Sequence, residues 1–81
     1  MRLSELSKGH AATVAAVEEA RPDDPVARRL RDLGFVPGEM LRVVARAPLG
    51  GDPILVQVGS TRFALRRAEA ARISVTTEAA A

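Results

Sequence analysis

A helix that has to stop constrains this chain more than any other feature. From Arg28 to Glu39 the sequence reads RRLRDLGFVPGE. Val26, Leu30 and Leu33 recur at i, i+4 and i+7, which lays one apolar stripe along a short helix. Asp23, Asp24 and Pro25 supply its start, with a carboxylate to cap free N–H groups and a proline suited to the first turn. Gly34 follows the stripe and fits the left-handed position just past a helix, where a Cβ would be strained. Phe35 then places a large apolar side chain at the exit. Pro37 and Gly38 turn the chain into a strand from Met40 to Ala45.

The remainder reads as short strands around that connector. Leu3 and Leu6 turn inward from a single helical or 3₁₀ turn that Ser4 is placed to cap. Ala11 to Val17 is small and β-branched, a strand in which Val14 and Val17 fall on opposite faces. A bulge between them, or cover on both faces, reconciles the two. Leu41, Val43 and Ala45 alternate with Arg42, Val44 and Arg46, giving an inner face and a mostly arginine outer one. Ala47 to Pro53 is a loop with two prolines and two glycines. Ile54, Val56 and Val58 form the next inward row, Gly59-Ser60 is a two-residue hairpin turn, and Phe63 and Leu65 return inward. Arg66 to Arg72 favours a helical turn before a last strand at Ile73 and Val75.

Five short strands, one helix between the first two and a helical turn before the last make an all-β fold, a small β-barrel. Its expected core is Leu6, Val14, Leu30, Leu33, Phe35, Leu41, Val43, Ile54, Val56, Val58, Phe63, Leu65, Ile73 and Val75. With 81 residues there is one domain, expected over 1–76 with a C-terminal tail over 77–81. Cysteine is absent, which removes disulfides and thiolate metal sites and fits a reducing compartment. No apolar run resembles a signal segment or a membrane span, so a cytoplasmic location without membrane insertion is expected. Eleven of the twelve basic residues are arginine, yet carboxylates are interspersed and the net charge is only +2, weak support for nucleic-acid binding.

Two blocks carry a family resemblance. Leu3-x-x-Leu6-x-x-Gly9 followed by Arg29-Leu30-x-x-Leu33-Gly34-Phe35-x-Pro37-Gly38 is one. The other is Ala47-Pro48-Leu49-Gly50-Gly51-Asp52-Pro53 with Phe63-Ala64-Leu65-Arg66 after it. In this order and spacing they resemble the FeoA family, over Leu3 to about Val75. The resemblance implies an SH3-like barrel that works in bacterial ferrous-iron uptake with FeoB, a membrane Fe(II) transporter carrying a cytosolic GTP-binding domain. The same module also serves as a regulatory domain at the end of iron-dependent repressors. With no helix-turn-helix ahead of it, the stand-alone form is expected here.

The residues themselves speak against catalysis. His10 is the single histidine, no tyrosine or cysteine is present, and the serines have no evident base partner. Glu18-Glu19 and Asp23-Asp24 are adjacent pairs whose side chains diverge. Fe(II) favours several imidazole and carboxylate ligands together, so no metal site or cofactor is expected within one chain. A site shared between copies, and with it a homo-oligomer, is the remaining route to iron. Gly50-Gly51 lacks the Gly-Lys-Ser/Thr continuation of a phosphate loop. What is left is a binding module whose candidate partner contacts are Leu49 at a loop tip, Leu55 on an outward strand face, and Arg28 and Arg31 on the polar side of the helix. The expected role is a non-enzymatic adaptor of the Fe(II) transporter. The rival readings are a metal-responsive regulatory domain and a small nucleic-acid-binding barrel using Arg42, Arg46, Arg62 and Arg66.

Overall fold

The computed structural model describes residues 1–47 and 52–77. A 3₁₀ turn at Leu3–Glu5 is followed by β1 (Ala11–Val17), α1 (Pro25–Leu33), β2 (Met40–Arg46), β3 (Ile54–Val58), β4 (Thr61–Leu65), α2 (Arg67–Ala70) and β5 (Ile73–Thr76). The strands form one antiparallel sheet in the order β4-β3-β2-β1-β5. It is the small five-stranded β fold with two short helices that the strand pattern predicts. The tail expected from residue 77 lies, apart from Thr77, outside the described residues.

The exit of α1 is a complete Schellman stop. Gly34 takes φ 117° and ψ 3°. Its N–H donates to the Arg31 carbonyl at 3.0 Å, and the Phe35 N–H donates back to the Leu30 carbonyl at 3.1 Å. Those bonds satisfy carbonyls that the helix end would otherwise leave open. They also turn Phe35 back into the core, where it and Leu30 are both fully buried. Phe63 from β4 meets the Phe35 ring at 5.8 Å between centroids in a tilted arrangement. One ring thus joins α1 to the far end of the sheet.

Asp24 fixes the other end of α1. It is the N-cap, accepting from the Val26 N–H at 3.0 Å, and its second oxygen accepts from the Ala20 N–H at 2.9 Å. Arg72, arriving from the turn before β5, donates to that same oxygen. Asp24 is only 3% exposed, so this capping carboxylate is also a buried junction between α1, its incoming connector and β5. A second pair, Arg29 Nη1 to Glu69 Oε2 at 3.0 Å, joins α1 to α2. The Ala20 N–H holds the Asp24 carboxyl below its ordinary 3.8, with the Val26 N–H and the Arg72 guanidinium adding to it and burial opposing.

Both long strands carry a bulge. In β1 the register shifts between Val14, opposite Val75, and Ala16, opposite Ser74. The extra Ala15 brings Val14 and Val17 to the same buried side, as their spacing requires. In β2 the shift lies between Val43, opposite Val56, and Ala45, opposite Leu55. That one overturns an expectation. Beyond the extra Val44 the faces exchange: Ala45 joins the outer row, and Arg46 stands opposite the fully buried Ile54. Half-buried at the barrel end, Arg46 donates through Nη2 to the Ser4 carbonyl at 2.8 Å and the Leu6 carbonyl at 2.6 Å. It ties down the 3₁₀ turn instead of facing a partner.

Ser4 is not the cap of that turn. Arg2 precedes it, and Glu5 Oε1 accepts from the Arg2 N–H at 2.8 Å. The start of the chain is part of the sheet: Val75 N–H donates to the Met1 carbonyl at 2.8 Å, and Arg2 bridges to Ser74. β4 and β5 are the two ends of the ladder and do not pair with each other. The core holds the expected residues, except that Leu33 and Phe63 are partly buried against it. Leu3, Ala12, Val17, Ala27 and Ala70 complete it, the alanines being small enough to let helix and strand approach closely.

Two outcomes follow from these anchors. Phe35→Ala removes the ring that both α1 and β4 pack against and is expected to cost about 3–5 kcal/mol. In a domain of this size that consumes most of a net stability of a few kcal/mol, so urea titration should find the variant largely unfolded. Because the Asp24 carboxyl sits below its ordinary 3.8, its stabilisation is complete above that value and fades as pH falls through the lower folded value. Asp24→Asn should therefore be less stable at neutral pH and show a flatter loss in acid, read by thermal melts across that window.

Candidate interaction face

The outer side of β2, β3 and β4 is laid out by register. Arg42 stands opposite Gln57, and Gln57 opposite Arg62, making one cross-strand row. Ala45, Leu55 and Ala64 make the next row. Gln57 is the hinge of the first: its Nε2 donates to the Gly59 carbonyl at 3.1 Å, and its Oε1 accepts from Arg62 Nε at 3.2 Å. Arg42 Nη1 donates to the Gly9 carbonyl at 2.6 Å. Both arginines are exposed.

A groove lies on each side of these rows. The first, of about 340 Å³, is lined by Ala11, Glu39, Met40, Leu41, Arg42, Gln57 and Gly59. Gly59 takes φ 59° in the β3–β4 hairpin, the left-handed angle that its position in a two-residue turn calls for. Met40 is 62% exposed on the wall of this groove, high for a side chain of its size and apolarity. The second, of about 310 Å³, is lined by Asp52, Pro53, Ala64 and Arg66.

The sequence-derived candidates do not gather in one place. Leu55 lies half-buried within the apolar row of this face. Arg31 is occupied at the β1–α1 connector, donating to Glu19 Oε2 at 3.1 Å and to the Val17 carbonyl at 3.3 Å. Arg28 is exposed, with Asp23 at 3.8 Å. Leu49 lies outside the described residues. Met40, Arg42 and Gln57 escaped the sequence reading as a set because they sit in different strands. The one available signal was Met40 itself, an apolar residue falling on the arginine face of β2. Among the described residues no group of three or more histidine, cysteine, aspartate or glutamate side chains is arranged to hold a metal. His10 is exposed, and its carbonyl accepts from the Val43 N–H at 3.2 Å.

The profile of the FeoA domain matches residues 1–77. The chain belongs to the FeoA family. That family takes part in ferrous-iron transport, and its SH3-like barrel is the fold described above. Among solved structures, FeoA of Stenotrophomonas maltophilia, determined with zinc, is 56% identical, covering 93% of this chain and 88% of that one with a TM-score of 0.86. FeoA of Chlorobium tepidum is 46% identical over all of this chain and 73% of its own, with a TM-score of 0.84. A manganese-dependent transcriptional repressor contains a similar unit, at 27% identity over 95% of this chain and 41% of that one, with a TM-score of 0.82. Among curated relatives, a Porphyromonas gingivalis protein joins Fe(2+) transport protein A to the Fe(2+) transporter FeoB in one chain. It is 39% identical over 93% of this chain, which spans 8% of its length. No described helix is long and apolar enough to cross a membrane.

The inward turn of Arg46 has its own test. Arg46→Met keeps an unbranched apolar stem but leaves two carbonyls without their charged donor, a loss expected to cost about 1.5–3 kcal/mol. Chemical denaturation measures it, and amide exchange should quicken first in residues 3–6.

Proposed function

We propose that this FeoA-family chain is a non-enzymatic adaptor that binds the cytosolic part of a FeoB-type Fe(II) transporter and modulates its gating or GTP cycle. The observation that carries the reading is the fusion relative, in which the two partners are held in one polypeptide. Linking two modules that already associate makes their contact intramolecular and raises its effective concentration. The outer face of β2–β4 supports the same reading, since it offers exposed apolar and cationic side chains and no assembled nucleophile, base or metal cluster among the described residues. Leu55 belongs to this face, while Leu49, Arg28 and Arg31 stand as further contacts of the adaptor. Modulation requires that the chain bind two transporter states with unequal affinity.

The nucleic-acid reading weakens on two counts. Arg46 is engaged with the 3₁₀ turn, and neither aromatic ring is free for base stacking, Phe35 being buried and Phe63 packed against it. The likeness to the repressor favours a regulatory domain as second reading. Titration of the chain into the purified cytosolic domain of the same bacterium's FeoB should give a saturable complex at about 10–100 μM of each partner, weakened by Leu49→Asp. Absence of any complex in that range at physiological salt would remove the proposal.

A further inference from the structure

Seven of the eleven arginines differ in what they already hold. Arg2, Arg28, Arg29, Arg31 and Arg72 each reach a carboxylate of the chain. Arg42 and Arg62 reach none among the described residues, although ten carboxylates are present in the sequence. They are instead steadied by neutral partners, Gly9 and Gln57, which orient the guanidiniums without neutralising them. Cross-strand register sets them in one row, and the groove beside Met40 opens against the same Arg42 and Gln57. Glu39, just ahead of β2, stands on that groove's wall three residues before Arg42, about 10 Å away in extended chain and with no ion pair to it among the described residues.

From this we infer that the Met40 groove and the Arg42–Gln57–Arg62 row form the docking site for an acidic segment of the protein partner. An apolar side chain of that segment enters beside Met40, and its carboxylates lie on the two guanidiniums. Charge complementarity chooses the occupant. A guanidinium fork matches a carboxylate through paired N–H···O bonds, and these two forks lack one in the folded chain. The groove requires an apolar anchor as well, and stacking aromatics are absent from the face, which favours protein over nucleic acid. The inference rests on the adaptor reading above and adds the site and the sign of its charge.

The test uses the intact chain and the purified cytosolic domain of FeoB, with amide chemical-shift mapping and affinity measured side by side. Shifts should concentrate at Met40, Arg42, Gln57 and Arg62. Arg42→Glu with Arg62→Glu should weaken binding by about tenfold or more, while Glu39→Gln, which removes a like charge from the groove wall, should tighten it. Arg28→Glu with Arg31→Glu should change it less than the first pair. A dispersed amide spectrum of each variant shows that it folds, and Arg42→Gln with Arg62→Gln, which keeps hydrogen-bonding groups, should give an intermediate loss. Binding that is intact in the Glu variants, or shifts confined to α1, would overturn the site while leaving the adaptor reading standing. No binding by the wild type would remove both. A gel shift with single-stranded DNA at low salt that is lost in the same Glu variants, without binding to FeoB, would transfer the row to nucleic acid and overturn the inference.

Discussion

The structure depends on the reversal of direction at Gly34. Two backbone bonds there end α1, and the same two bonds aim Phe35 at Leu30 and at Phe63 across the barrel. A helix as short as Pro25–Leu33 is marginal by itself in water, so its persistence comes from what it packs against. The ring supplies that support while also reaching Phe63 on β4, at one end of the ladder. The φ of 117° at Gly34 is a conformational demand and not a matter of space: a Cβ there would find only Val58 Cγ1, at an ordinary 3.8 Å.

Ion pairs then finish what burial begins. Asp24 with Arg72 ties the start of α1 to the turn before β5, and Glu69 with Arg29 ties α1 to α2. The buried one is also the better provided with backbone donors, which is the condition under which a carboxylate can be taken out of water. The exposed pairs elsewhere hold connectors in place and contribute little each. What this economy leaves over is a face with cations that the chain itself does not neutralise.

Much of this was legible in the order of residues, and the rest was hidden for definite reasons. The helix, its cap, its stop and the plug are local events, encoded within a few positions of one another. The bulge in β1 announced itself because Val14 and Val17 cannot share a side of a regular strand. The bulge in β2 did not, since Leu41 to Arg46 reads as plain alternation apart from Val44 on the arginine side. Its need arises across the ladder, where burying Ile54 fixes which residue stands opposite it. Asp24 was readable as a cap, but its burial comes from Ala20 and Arg72, and no periodicity connects those three. The Arg42–Gln57–Arg62 row is likewise a product of pairing, invisible until strand register is known.

Val44, the residue inserted at that second bulge, has a consequence out of proportion to its size. Were it paired in a regular ladder instead of bulging out, the two residues after it would trade inside for outside. An arginine would lose the carbonyls it holds, and an alanine would be left to fill its place. Deleting Val44 outright would instead restore plain alternation and keep the arginine inward, so a chain one residue shorter here can hold the same barrel end without a bulge.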